Sequence, residues 1–94
     1  MAVFAVHYVY SDTTAPARDI HRADHRAWLN SLVDAGTVLT SGPYPDGSGA
    51  LILVESPDLE SVTKLFTEDP FAREGLLADS RIVEWVPTMG AFSS

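Results

Sequence analysis

The sequence predicts an α+β fold in the order β-α-β-β-α-β, with two helices on one face of a four-stranded antiparallel sheet. Three observations predict it. Four short runs rich in β-branched and aromatic residues are interleaved with two longer stretches of helical period. Turn and cap residues punctuate the junctions between them. The first strand is apolar on both faces, with Phe4, Val6, Tyr8 and Tyr10 on one and Val3, Ala5, His7 and Val9 on the other. Such a strand requires cover on both sides. A chain of 94 residues is expected to form a single domain over residues 1–94, so the second cover would come from another copy of the chain.

The elements follow in order. Residues 3–10 (VFAVHYVY) read as strand one, and residues 11–16 as a polar turn in which Thr13 or Thr14 caps a helix with a proline near its first turn. Helix one is predicted over residues 17–35, stopped by Gly36. Its apolar stripe is read as Ile20, His25, Leu29, Leu32 and Val33. Residues 37–41 (TVLTS) form strand two, ended by Gly42-Pro43, and residues 50–55 (ALILVE) form strand three. The connection between them (GPYPDGSG) is tightest at Asp46-Gly47. Ser56 is the expected N-cap of helix two, with Pro57 at its first position. That helix carries Leu59, Val62, Leu65 and Phe66 on one stripe and halts at Asp69-Pro70. Residues 71–79 connect, with one helical turn of their own, to strand four over residues 81–86 (RIVEWV). Met89 and Phe92 in the tail would be wasted in solvent and are expected to pack on a neighbour, the partner subunit. This order is the ferredoxin-like split βαβ plan.

Composition narrows the function. With no cysteine, disulfides, thiolate metal sites and cysteine nucleophiles are excluded. A net charge of −7 argues against nucleic-acid binding. No apolar run is long enough to cross a bilayer, and no signal peptide opens the chain, so no membrane partner and a cytoplasmic location are expected. Arg18, Arg22 and Arg26 recur every four residues on helix one. They read either as a solvated helix edge or, more sharply, as placing Arg22 to hold an anionic group in a site.

His25 is the anomaly, a titratable ring on an apolar stripe that must find a partner or line a cavity. Asp69 is a candidate partner, since a carboxylate would orient the imidazole and raise its basicity. The two helices are expected to run parallel, so contact between His25 and Asp69 requires local bending. On spacing alone, Asp69 reads as a residue that terminates its own turn. His21 and His25 stand at the spacing of two metal ligands, but the run H-R-A-D-H lacks the glutamate of the zinc motif and no third ligand is evident. No metal and no cofactor are expected. His7, Trp28 and Trp85 read as packing residues, and Tyr8, Tyr10 and Tyr44 as core or pocket rim.

Taken together, Arg22-x-x-His25-x-x-x-Leu29, Gly36, Ser41-Gly42-Pro43 and Asp69-Pro70-Phe71 ahead of a last strand with Trp85 resemble the YciI-like (YCII-related) family over nearly the whole chain. The resemblance implies a dimeric α+β barrel with a His–Asp pair in a pocket, His25 and Asp69 falling on those positions. It implies a cofactor-free proton transfer, elimination or isomerisation on a small, including aromatic, organic molecule. Arg22, Ser41, Gly42 and Pro43 would then hold the ligand. The family includes a dehydrochlorinase, but the loop after Pro43 is short here, which leaves the substrate open. The competing expectation is a non-catalytic module that binds a small ligand or a protein and uses the pair as a structural hydrogen bond.

Overall fold

The computed structural model describes residues 1–93. Strand β1 (Ala2–Val9) is followed by a 3₁₀ turn (Asp12–Thr14) and helix α1 (Ala15–Asp34). Strands β2 (Val38–Pro43) and β3 (Gly49–Ser56) form a hairpin, and helix α2 (Leu59–Phe66), the short helix α3 (Pro70–Arg73) and strand β4 (Asp79–Trp85) complete the chain. The sheet order is β2-β3-β1-β4 with every neighbouring pair antiparallel. This is the α+β, ferredoxin-like arrangement expected from the order of elements.

The most apolar strands take the two central places, where both edges are hydrogen-bonded. Phe4, Val6 and Tyr8 of β1 and Ala50, Ile52 and Val54 of β3 turn one way and meet Leu29, Val62 and Phe66 of the helices in the core. Complete burial of a side chain such as Val6 or Ile52 contributes roughly 1.5–3 kcal/mol. The opposite sheet face carries Val3, Ala5 and His7, in register with Glu55, Leu53 and Leu51 of β3 and with Trp85, Val83 and Arg81 of β4. The described chain places no helix on that face.

Several boundaries differ from the sequence expectation, each for a local reason. Strand β2 continues through Gly42 and Pro43, which pair with Leu51 and Ala50. It is an edge strand, where a proline without an N–H is tolerated. Helix α2 is capped by Asp58, whose Oδ1 accepts the Ser61 amide at 2.8 Å. Ser56 instead donates to the Asp58 carbonyl, and Pro57 lies outside the helix. Ile20 is 78% exposed. It stands five residues from His25, about 140° around a helix, so it leaves the buried side. Arg18, seven residues or two turns away, shares that side with His25 and Leu29 and is buried. In the tail, Met89 is exposed, whereas Phe92 lines a shallow cleft with Met1 and Trp85 of its own chain.

The helix directions are also corrected. Because β1 and β3 are antiparallel, and each helix returns from its strand to a parallel one two places along the sheet, α1 and α2 run opposite to each other. The end of α2 and the start of α3 therefore arrive beside the first half of α1, with no bending required. Gly49 tightens the same region. A Cβ there would lie 1.9 Å from the Tyr8 carbonyl oxygen, so only glycine lets β3 approach β1 at this point.

Candidate active site

Asp69 is the N-cap of α3, which begins with Pro70. Asp followed by Pro is a good helix start, because the carboxylate caps free amides and proline lacks the N–H that would go unpaired. Its Oδ1 accepts the Phe71 amide at 3.0 Å. The same oxygen lies 2.8 Å from His25 Nδ1, and Oδ2 accepts the Tyr8 hydroxyl at 2.6 Å. Turn termination and pairing with His25, which look like alternatives in sequence, are thus performed by one carboxylate. Asp69 has 0% exposure and His25 8%.

Three donors converge on a group that can only accept, which sets the histidine tautomer: Nδ1 carries the hydrogen. The imidazole is further held by Phe71, whose ring stacks on it at 3.9 Å between centroids and 3° between planes. Nε2 makes no hydrogen bond among the described residues. No sealed side-chain nitrogen or oxygen among the described residues lacks a partner, so Nε2 is reached from the cleft that His25 lines. An oriented imidazole with a free, basic nitrogen facing a cavity can take a proton from a bound molecule.

That cleft has a volume of about 640 Å³ and lies between α1 and the β2–β3 hairpin. Ser41, Gly42 and Pro43 form its far wall, and Arg22 and Arg26 its helical rim. All four residues expected to hold a ligand therefore border one cavity with His25. Arg22, however, is ion-paired with Asp19 and its side chain is 40% exposed. Arg18 is 6% exposed. Its Nη1 donates to the Ser11 carbonyl at 2.9 Å and to the Thr14 hydroxyl, and its guanidinium lies 4.3 Å over the Tyr10 ring.

Sequence reasoning missed three members of this site: Tyr8, Phe71 and Arg18. Tyr8 was legible as a core or pocket-rim residue of strand one but not as a partner of Asp69, which is 61 residues away. Arg18 was legible as two helical turns before His25. Tyr44 and His7 lie outside the cavity, on the open sheet face, 3.4 Å apart. Trp28 packs edge-on against Phe66, as a packing residue would. His21 Nε2 is 3.8 Å from Glu74 Oε1. Among the described residues, no three His, Asp or Glu side chains are grouped as metal ligands would be.

Burial, then the charge of Asp69 and the hydrogen bond to it, pushes the Tyr8 phenol far above its ordinary value of 10.0. Tyr10 is raised as well, by burial and by Asp69, with Arg18 and Arg22 opposing. A raised folded-state value means that the stability Tyr8 contributes is complete below about pH 10 and is lost as the pH climbs beyond it. The expected result is that ultraviolet titration ionises Tyr8 only as the chain unfolds in alkali. In Tyr8→Phe that alkaline loss of stability should be smaller. A Tyr8 signal that ionises reversibly while the chain stays folded would contradict this.

Comparison with known proteins agrees with this architecture. A solved structure of the 5-chloro-2-hydroxyhydroquinone dehydrochlorinase TftG from Burkholderia phenoliruptrix AC1100, in complex with 2,5-dihydroxybenzoquinone, superposes with a TM-score of 0.80. The match covers 98% of this chain and 99% of that one, at 21% sequence identity, and shows a shared fold. No protein with a curated description matches the sequence. Among the described residues no helix is long and apolar enough to cross a membrane. The YCII-related domain model matches residues 2–86, and the chain belongs to that family.

Proposed function

We propose that this protein is a cofactor-free cytoplasmic enzyme that uses His25 and Asp69 for proton transfer on a small organic substrate, aromatic molecules included. The observation that carries this reading is the oriented imidazole, with Nδ1–H on a buried carboxylate and Nε2 open to a 640 Å³ cleft. His25 Nε2 takes a proton from carbon or oxygen of the substrate. In an elimination, the electron pair left behind forms a double bond and a leaving group departs with its own pair. In an isomerisation, the same proton returns at another carbon. Asp69 keeps the ring in one tautomer and stabilises the imidazolium formed. That the structural neighbour is a dehydrochlorinase supports a reaction of this type.

The test is a screen of small halogenated hydroxyaromatic and β-hydroxy or β-halo carbonyl compounds, in which His25→Gln must sharply lower any turnover that wild type shows. The competing reading, a structural hydrogen bond in a binding module, draws on the complete burial of Asp69. It would be favoured if His25→Gln left turnover unchanged.

The proposal includes a twofold dimer closed across the open sheet face. Val3, Leu51, Leu53, Val83 and Trp85 make that face apolar, and a second copy would cover it. Sedimentation equilibrium should give twice the chain mass of 10.2 kDa, and Leu51→Asp should return the monomer. A monomeric wild type would exclude this assembly.

A further inference from the structure

The charge lining the cleft is opposite in sign to the charge of the chain. Asp and Glu number 13 against 6 Lys and Arg, yet among the described residues no acidic side chain lines the cleft and three arginines do, Arg18, Arg22 and Arg26. Low-dielectric walls focus such a field onto whatever enters.

Of the three, Arg18 is the unusual one. It is 6% exposed and has no carboxylate within ion-pair distance among the described residues, whereas Arg22 has Asp19. Its partners among the described residues are neutral: a carbonyl, a hydroxyl and an aromatic face. These hold the guanidinium in place without neutralising it. Only Nη1 is used. The remaining nitrogens, Nε and Nη2, are not sealed without a partner, so they keep some access to solvent, on a side chain that lines the cleft. A buried cation without a counter-ion carries a desolvation penalty that an anion would offset, and a guanidinium presents a fork suited to two oxygens.

The wall between Arg18 and His25 is aromatic. Seven residues separate them, about 10.5 Å along the helix axis. Tyr10 underlies Arg18, Phe71 meets Tyr10 edge-on at 6.0 Å, and Phe71 stacks on His25. A flat molecule lying along these rings can place one end on the guanidinium and the other near Nε2.

We propose that the cleft takes a small planar organic anion whose carboxylate or ionised hydroxyl is held by Arg18. This rests on reading the cleft as the reaction site and assigns its substrate class. Arg22, the arginine that the sequence motif singles out, plays the lesser part because Asp19 already occupies it.

The test uses benzoate and its neutral counterpart benzamide as probes, with affinity read by NMR titration of the intact protein. Benzoate should shift signals of Tyr10, Phe71 and His25 in wild type, and benzamide should bind more weakly. Arg18→Gln should weaken benzoate by about tenfold or more, the value of losing one charge-assisted contact, and leave benzamide little changed. Arg22→Gln should have the smaller effect. If Arg18→Gln does not fold, the Arg18 Nε–H signal of wild type, assigned through Arg18→Lys, should still move with benzoate and not with benzamide. Equal binding of the two probes, no response to benzoate, or a larger loss in Arg22→Gln overturns the proposal. Benzoate binding through Arg18 without any turnover would remove only the catalytic reading. Turnover dependent on His25 with no preference for benzoate would remove only this one.

Discussion

Replacing Asp69 by alanine is expected to lower folding stability by about 3–5 kcal/mol, the cost of removing one partner from a buried charged network. The side chain has 0% exposure and accepts from His25, Tyr8 and the Phe71 amide. Alanine leaves all three donors facing a void that solvent does not reach, and each stranded polar group adds its own desolvation cost. It also removes the N-cap of α3, itself a contribution of about 1 kcal/mol. A domain of this size has only about 5–15 kcal/mol in total, so the variant should sit near the limit of folding. Asp69→Asn should be milder. Its Oδ1 can keep the His25 and Phe71 bonds, and its amide can donate to a Tyr8 hydroxyl that turns round to accept. Urea denaturation checks both, with the midpoint falling and the slope unchanged. An Asp69→Ala protein within about 1 kcal/mol of wild type would mean that the network is not coupled as described.

The second large effect is on rate. On any substrate that the wild type turns over, His25→Gln is expected to lower kcat by on the order of 10²–10⁴-fold, the usual contribution of a positioned general base. Glutamine can still donate an amide hydrogen to Asp69 and lie against Phe71, but it offers no basic nitrogen to the cleft. Stability should therefore change far less than in Asp69→Ala, and KM less than kcat. That separation matters, because a purely structural histidine would show the reverse: a loss of stability with the rate per folded molecule retained. Measuring kcat and the urea midpoint on the same preparation distinguishes the two.

Much of the fold was legible because its causes are local. Alternation marks a strand and a period of 3.6 marks a helix within a dozen residues, and Gly36, with φ of +82°, ends α1 where only a residue without a side chain is comfortable. The two-sided apolarity of β1 called for cover on both faces of the sheet, and the helices supply it on one. The site was legible in part for the same reason. His25 stood out against the stripe formed with Leu29, whereas Asp69-Pro70 read as the end of helix two and is in the structure the cap and first residue of α3.

What the sequence by itself determined was therefore the set of elements, their order and the oddity of His25. The tertiary structure alone decided what His25 touches and which arginine is buried. Asp69 lies 44 residues from His25 and 61 from Tyr8, and nothing in the spacing says that they meet. They meet because antiparallel β1 and β3 force α1 and α2 to run in opposite directions, so the end of one helix reaches the start of the other. Arg18 is buried because Ser11, Thr14 and Tyr10 fold around its guanidinium. Periodicity places a side chain on a face of its helix, but only packing decides what that face meets.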